Sequence, residues 1–167
     1  AFAAWSFQSR GRLFEVWDIP GDGGPGAPVV ILSHGWADSR LGGLTRAPFL
    51  LPMASRLILW DLPGHGETPG VCTLGTREVE DLVALVSAVM GEHRLGNAQV
   101  DGTVMLYGWS LGAGVSIAAG KRLGAAISGV IAEAPYRTPV TPARNVMRGQ
   151  HLPHRLNLAP ALWLLGM

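Results

Sequence analysis

Cysteine is almost absent from this 167-residue sequence, and the single thiol, Cys72, excludes an internal disulfide. A lone cysteine also cannot hold a metal ion without other ligands. The histidines His151 and His154 have a spacing that can ligate zinc, but neither a cysteine nor a nearby carboxylate joins them. The sequence therefore predicts no metal site, and it is compatible with a reducing compartment.

A surplus of charge of one sign is lacking as well. Lys and Arg total 13 against 12 Asp and Glu, and no basic run is present that could follow a phosphate backbone. The sequence therefore predicts no nucleic-acid partner.

Long hydrophobic runs are also missing. No apolar run reaches the roughly 18 to 20 residues that span a bilayer. Residues 156–167 are mostly apolar and favour a buried or amphipathic helix. Membrane contact through an anchor beyond that segment stays open, as does the oligomeric state.

The N-terminus has neither an initiator Met nor the basic-then-apolar order of a secretory signal. We expect the sequence to begin inside a longer protein. The missing signal favours the cytoplasm and leaves the compartment open.

Apolar residues make up 48% of the chain, which is enough for one compact core. Apolar and polar residues alternate on both sides of Ser9-Arg10-Gly11, a pattern that predicts an opening β-hairpin. Continuous apolar runs predict four strands buried on both faces, as in a parallel sheet. These runs are 29–32, 56–61, 103–107 and 127–132.

Helices are predicted between these strands. The spacing of apolar residues from Val79 to Met90 predicts a helix with acidic residues at its start, and small residues predict another over 111–122. A less regular helix is expected near 49–53. The alternation predicts an α/β fold with a mostly parallel sheet and helices on both faces. Residues 1–140 are expected to form this core, and 141–167 the start of a lid or of the next crossover helix.

The segment Gly108-Trp109-Ser110-Leu111-Gly112 carries the chemistry. Gly-x-Ser-x-Gly is common by chance, but here it directly follows a predicted buried strand and opens a predicted helix. A nucleophile elbow requires this strand-turn-helix setting, and glycines on either side of the serine leave room for the sharp bend. The pattern predicts Ser110 as a catalytic nucleophile.

Two backbone N–H groups are candidates for an oxyanion hole. One is that of Leu111, at the positive end of the helix that follows the elbow. The other is assigned to Trp36, in the loop after the first buried strand, where Gly35 lets the backbone approach closely. His34 is expected to hold this loop through hydrogen bonds. The alternative role of catalytic base is less favoured because His34 precedes the serine.

Three motifs, 34–36, 61–68 and 108–112, resemble those of the α/β-hydrolase superfamily in type and order, and the resemblance covers nearly all of the chain. It implies a serine hydrolase that forms an acyl-enzyme, most often from esters, with a small-molecule acyl substrate and no cofactor. The 61–68 segment looks like the family's turn after the fourth strand and is expected to be structural. The competing hypothesis is a non-catalytic binding module that keeps the elbow only as architecture.

The predicted elements reach six of the family's usual eight strands. The family places its acid and its histidine after the serine, so both are expected beyond residue 167, and the 167 residues alone are expected to be inactive. If the catalytic triad of serine, acid and histidine were completed within this sequence, Glu133 would be the acid and His151 or His154 the base. We expect instead that Glu133 pairs with Arg137 or Arg144, and that both histidines are surface or lid residues, because no strand fixes them against the serine.

Overall fold

A computed structural model describes residues 2–95, 103–138, 140–149, 151, 153, 158–160 and 163, without the side chains of 92–95 and 146. The strands are Ala3–Ser9 (β1), Arg12–Pro20 (β2), Val29–Ser33 (β3), Arg56–Trp60 (β4), Val104–Trp109 (β5) and Gly129–Glu133 (β6). The helices are Arg40–Gly43 (α1), Ala47–Leu50 (α2), Glu78–Leu95 (α3), Leu111–Leu123 (α4) and Val140–Gly149 (α5). Short 3₁₀ turns occupy Leu51–Met53 and Gly124–Ala126.

The strands form one sheet in the order β1-β2-β4-β3-β5-β6. β1 and β2 are antiparallel, β2 pairs antiparallel with β4, and the pairs from β4 through β3 and β5 to β6 are parallel. The predicted hairpin and the mostly parallel sheet are confirmed. The hairpin turn consists of Arg10 (φ 48°) and Gly11 (φ 72°), the pair of left-handed residues that a two-residue hairpin favours.

The sheet buries apolar side chains on both faces. Along β3, Ile31 faces a core shared with α3 and α4, whereas Val30 and Leu32 face a second core covered by the segment from α1 to the first 3₁₀ turn. All five residues of β3 are buried, as expected of a central parallel strand. Helices therefore lie on both faces of the sheet, as predicted, and the carboxyl ends of the parallel strands meet at one edge.

β5 and β6 begin later than the apolar runs predict, by one and two residues, and extend further at their carboxyl ends. Gly108 pairs with Ser33 of β3, and Trp109 pairs with Glu133 of β6. The strand pairing thus continues to the residue before Ser110, and the turn into α4 is confined to that serine. No helix in the described ranges is long and apolar enough to cross a bilayer.

The start of α3 is set by one buried carboxylate. Glu78, which is fully buried, accepts hydrogen bonds from the Thr73 N–H (2.5 Å), the Thr73 hydroxyl (2.8 Å) and the Gly75 N–H (2.8 Å). The Thr73 hydroxyl in turn accepts from the Arg77 N–H (2.9 Å). These bonds close the loop before the helix onto its first residue, and they give partners to the loop N–H groups of Thr73, Gly75 and Arg77.

Candidate active site

Ser110 occupies the turn between β5 and α4 in a strained backbone conformation. Its φ is 52° and its ψ is −113°, a region that residues with a side chain rarely adopt. The Ser110 N–H donates to the carbonyl of Glu133 (2.9 Å), which ties the serine to the end of β6. A conformation of this kind costs about 1–3 kcal/mol and persists only where surrounding contacts enforce it.

Two glycines allow this turn. A Cβ at Gly108 would lie 2.2 Å from the carbonyl oxygen of Gly112, and a Cβ at Gly112 would lie 2.1 Å from that of Ser33. The obstacle in both cases is backbone that cannot rotate away. α4 therefore begins in direct contact with β3, and this contact brings the elbow against the loop that follows β3.

Both candidate oxyanion donors lie at this junction. Leu111 is the first residue of α4, and among the described residues neither its N–H nor that of Trp36 has a hydrogen-bond partner. Gly35 brings the two loops together, since a Cβ there would lie 2.8 Å from Nε1 of Trp109 and 3.6 Å from Cβ of Ser110. The residues that carry these two available N–H groups line the same cavity as the serine.

A cavity of about 390 Å³ opens beside Ser110. Apart from the serine it is lined by apolar and aromatic side chains from the loop after β3, the loop before α3, the start of α4, the turn after β6 and α5, namely Trp36, Leu74, Leu111, Tyr136, Pro142, Ala143 and Met147. The Tyr136 hydroxyl donates to the Leu74 carbonyl (3.4 Å), and burial raises the pKa of this phenol to about 12. Charged side chains are absent from the described part of the lining, so the cavity suits an uncharged, apolar group.

Comparison with known proteins shows the family. A model described as the alpha/beta hydrolase family matches residues 29–167. The chain belongs to the alpha/beta hydrolase family. The biotin biosynthesis bifunctional protein of Cellvibrio japonicus is 36% identical over 110 residues, which are 62% of this chain and 18% of that protein.

Solved structures show the same hydrolase fold. An esterase from Pyrococcus furiosus superposes with a TM-score of 0.72 at 24% identity, covering 93% of this chain and 61% of that one. A serine hydrolase without a lid from Xanthomonas campestris gives a TM-score of 0.63 at 18% identity, covering 78% of this chain and 60% of that one. The chain thus spans less than two thirds of the length of each of these proteins.

His34 is fully buried, and both of its ring nitrogens are engaged. Nε2 accepts from the Leu62 N–H (3.0 Å), so Nδ1 carries the proton and donates to the Gly35 carbonyl (2.7 Å). Burial lowers the pKa of His34 and keeps the ring neutral. These bonds link the loop after β3 to the turn after β4, which is what the predicted structural role requires.

The 61–68 segment is anchored by Asp61, which is 1% exposed. Its carboxylate accepts from the Arg40 N–H (2.6 Å) and the Glu67 N–H (3.0 Å), and the Arg40 guanidinium lies 3.6 Å away. Arg40 is itself buried, pairs with Glu15 (3.0 Å) and lies over the ring of Trp17 (4.6 Å). Sequence reasoning missed this network because its members are distant in the chain and follow no period.

Glu133 does not pair with Arg137 or Arg144, and that expectation is wrong. Its two carboxylate oxygens accept from Nε (3.0 Å) and Nη2 (2.8 Å) of Arg46, and the Tyr107 hydroxyl donates to one of them. Arg46 is the main cause of the lowered pKa of Glu133. The strand register explains the error. Glu133 pairs with Trp109 in the sheet, and Arg46, the residue before α2, stacks on the Trp109 ring and so lies within reach of the Glu133 carboxylate.

His151 is two residues beyond the last residue of α5, Gly149, and is exposed. Its N–H donates to the Arg148 carbonyl (3.1 Å), and the ring is not among the residues that line the described cavity. His154 lies outside the described residues. Within the described part of the chain, His151 therefore makes only this backbone hydrogen bond. A backbone bond of this kind does not direct the imidazole ring towards Ser110.

Cys72 has the surroundings of a buried thiol rather than of a nucleophile. Its side chain is 8% exposed, and burial raises its pKa to about 12. A thiol with this pKa stays protonated at neutral pH and reacts poorly. Ser110 is therefore the nucleophile candidate that the site offers.

Proposed function

We propose that this chain is the nucleophile-bearing part of a serine hydrolase that cleaves carboxylic esters or related acyl compounds through an acyl-enzyme. One observation carries the proposal: Ser110 is held at positive φ on a cavity that Leu111 and Trp36 also line, and the N–H groups of those two residues lack hydrogen-bond partners in the described chain. A residue concerned only with architecture gains nothing from that strain. A nucleophile gains exposure of its hydroxyl beside donors for the oxyanion.

In the proposed reaction, Ser110 Oγ attacks the carbonyl carbon of the substrate while a base takes the hydroxyl proton. The carbonyl oxygen becomes an oxyanion and accepts hydrogen bonds from the N–H groups of Leu111 and Trp36. The base then gives its proton to the departing alcohol. Water, deprotonated by the same base, hydrolyses the acyl-serine ester and restores Ser110.

We place the base and the acid outside these 167 residues. His34 is a poor base because one ring nitrogen accepts from the Leu62 N–H and the other donates to Gly35. Glu133 is a poor acid because Arg46 binds both of its oxygens. The chain spans 61% of the Pyrococcus furiosus esterase, which leaves room for both groups elsewhere in the complete protein.

The cavity supports a small substrate with an uncharged acyl group. Its described lining is apolar, and an ionised substrate group would lose its hydration there without finding a partner. We therefore expect neutral, apolar acyl esters to be turned over and esters with a charged acyl chain to be rejected.

Labelling with a fluorophosphonate probe tests the nucleophile. In the complete protein encoded by the gene, Ser110 should be modified, and Ser110→Ala should abolish the modification. Ser116→Ala is the matched control: it removes a buried hydroxyl on the same helix that has no hydrogen-bond partner in the described structure, and it should leave labelling unchanged. Labelling that survives Ser110→Ala would contradict the proposal.

The competing proposal is a binding module that keeps the elbow without using it. In its favour, no described residue accepts a hydrogen bond from Ser110 Oγ. It predicts that the complete protein binds an apolar ester without hydrolysing it and without being labelled. The same probe experiment therefore separates the two functions.

A further inference from the structure

Arg46 contacts the nucleophile elbow without being among the described residues that line the cavity. It is the residue immediately before α2, and Cζ of its guanidinium lies 3.8 Å from the centroid of the Trp109 ring. The same guanidinium binds both oxygens of Glu133 at 2.8 and 3.0 Å. One side chain thus stacks on an indole and makes a two-point ion pair, a combination that the planar guanidinium allows.

Both partners of Arg46 are attached to Ser110, Trp109 through the peptide bond and Glu133 through a backbone hydrogen bond. Trp109 precedes the serine in the chain, and the Glu133 carbonyl accepts the hydrogen bond of the Ser110 N–H (2.9 Å). Arg46 therefore fixes the side chains of the two residues that hold the serine backbone. We call Arg46, Trp109 and Glu133 the elbow clamp.

The clamp also reaches the second oxyanion loop. A Cβ at Gly35 would lie 2.8 Å from Nε1 of Trp109, so the indole packs directly on the backbone of the loop that carries Trp36. The indole thus contacts Arg46 and also the Gly35 backbone. A shift of the ring would change the spacing between the Trp36 N–H and Ser110.

We propose that Arg46 is a positioning residue that sets the spacing between the nucleophile and the oxyanion donor of Trp36 by holding the Trp109 ring. This inference rests on the proposed hydrolase function. Its main support is that the clamp lies beside Ser110 although its ion pair is too exposed to contribute much to stability. The side chains of Arg46 and Glu133 are 23% and 46% exposed, a setting in which ion pairs contribute little to stability, whereas displacements of about 1 Å at a reacting centre cost much activity.

The test compares Arg46→Ala, Arg46→Lys and a control, Arg10→Ala, in the complete protein. The probe is 4-nitrophenyl butyrate, and kcat, KM, the rate of fluorophosphonate labelling and the unfolding midpoint are measured for each variant. Arg10 is a matched control because it also makes a two-point pair with a carboxylate, Asp81 (2.9 and 2.5 Å), at the hairpin far from the elbow in the chain.

Arg46→Ala should lower kcat and the labelling rate about tenfold with little change in KM, because the substrate pocket is untouched while the donor geometry is lost. Arg46→Lys should recover part of the loss, since an ammonium keeps the charge but not the planar stack. Arg10→Ala should lower the unfolding midpoint, because it leaves a buried carboxylate poorly paired, and should leave kcat unchanged.

Unchanged kcat and labelling in Arg46→Ala would overturn the positioning role while leaving the hydrolase function intact. An equal loss of kcat in Arg10→Ala would also overturn it, because the effect would then follow stability. Absence of turnover and labelling in the parent protein would overturn the proposed function and this inference with it.

Discussion

At the residue scale, the site is built from positions where a side chain is either forbidden or strained. Gly108 and Gly112 meet backbone oxygens, and Ser110 alone takes up the positive φ between them. The constrained positions are adjacent in sequence, although the Ser33 oxygen that Gly112 meets is not, and for that reason the five-residue motif sufficed to predict the turn. The contacts of Arg46 were not predictable in this way, since its partner Glu133 is 87 residues away.

Gly112→Ala tests the closest of these contacts. The added methyl group would lie 2.1 Å from the Ser33 oxygen, so α4 must move off β3, and we expect a loss in the free energy of unfolding above about 2 kcal/mol. Gly91→Ala is the control, because it adds the same group to a helix with nothing within 4 Å and should be neutral or stabilising. Denaturant unfolding of both variants measures the difference, and equal stabilities would refute the packing argument.

His34 should make stability depend on pH. Burial lowers its pKa in the folded state, so between that pKa and about 6.5 the unfolded chain binds more protons than the folded one. Stability from the neutral ring is therefore fully present above about pH 6.5 and is lost as the pH falls towards the folded-state pKa.

Urea unfolding at several pH values between 7.5 and 5 measures this slope. His34→Gln, which cannot titrate, should be less stable at pH 7.5 and should lack this contribution to the slope. An identical slope in parent and variant would show that other groups cause the pH dependence.

At the element scale, strands were easier to predict than the segments that connect them. The continuous apolar runs located β3 to β6, and β3 and β4 are buried almost throughout, as a strand covered on both faces should be. The expected burial is wrong for β6, which lies at the end of the described sheet and is half-buried to exposed. The connections depend on buried polar groups instead, such as Glu78 at the start of α3 and Arg40 at the start of α1. A sequence pattern does not record which distant N–H or carboxylate such groups meet.

Glu78→Gln tests how the start of α3 is held. The carboxylate of Glu78 accepts three hydrogen bonds from Thr73 and Gly75. The amide of Gln would replace one of its oxygens with an NH2 group, which is itself a donor and cannot accept from them. We expect a loss of about 1.5–3 kcal/mol in the free energy of unfolding. Glu80→Gln, in the same helix turn but half-exposed, should change stability by much less. Similar losses in both variants would mean that charge near the helix start, rather than the buried bonds, is responsible.

At the scale of the whole molecule, this chain holds the proposed nucleophile and the two proposed oxyanion donors at the carboxyl ends of the parallel strands, and no described residue accepts a hydrogen bond from Ser110 Oγ. A serine with donors and no base retains only a small residual rate, orders of magnitude below that of a complete triad. Purified residues 1–167 should therefore hydrolyse 4-nitrophenyl butyrate far more slowly than the complete protein encoded by the gene.

His151→Ala in the 167-residue chain decides whether a local histidine contributes. The exposed ring at the end of α5 should be dispensable, so the residual rate should stay unchanged, whereas Ser110→Ala should reduce it to background. The reverse result, turnover close to that of the complete protein and lost in His151→Ala, would place the base on α5. The end of this helix would then have to swing over the cavity that Met147 already lines, and Glu133 would have to exchange Arg46 for the imidazole.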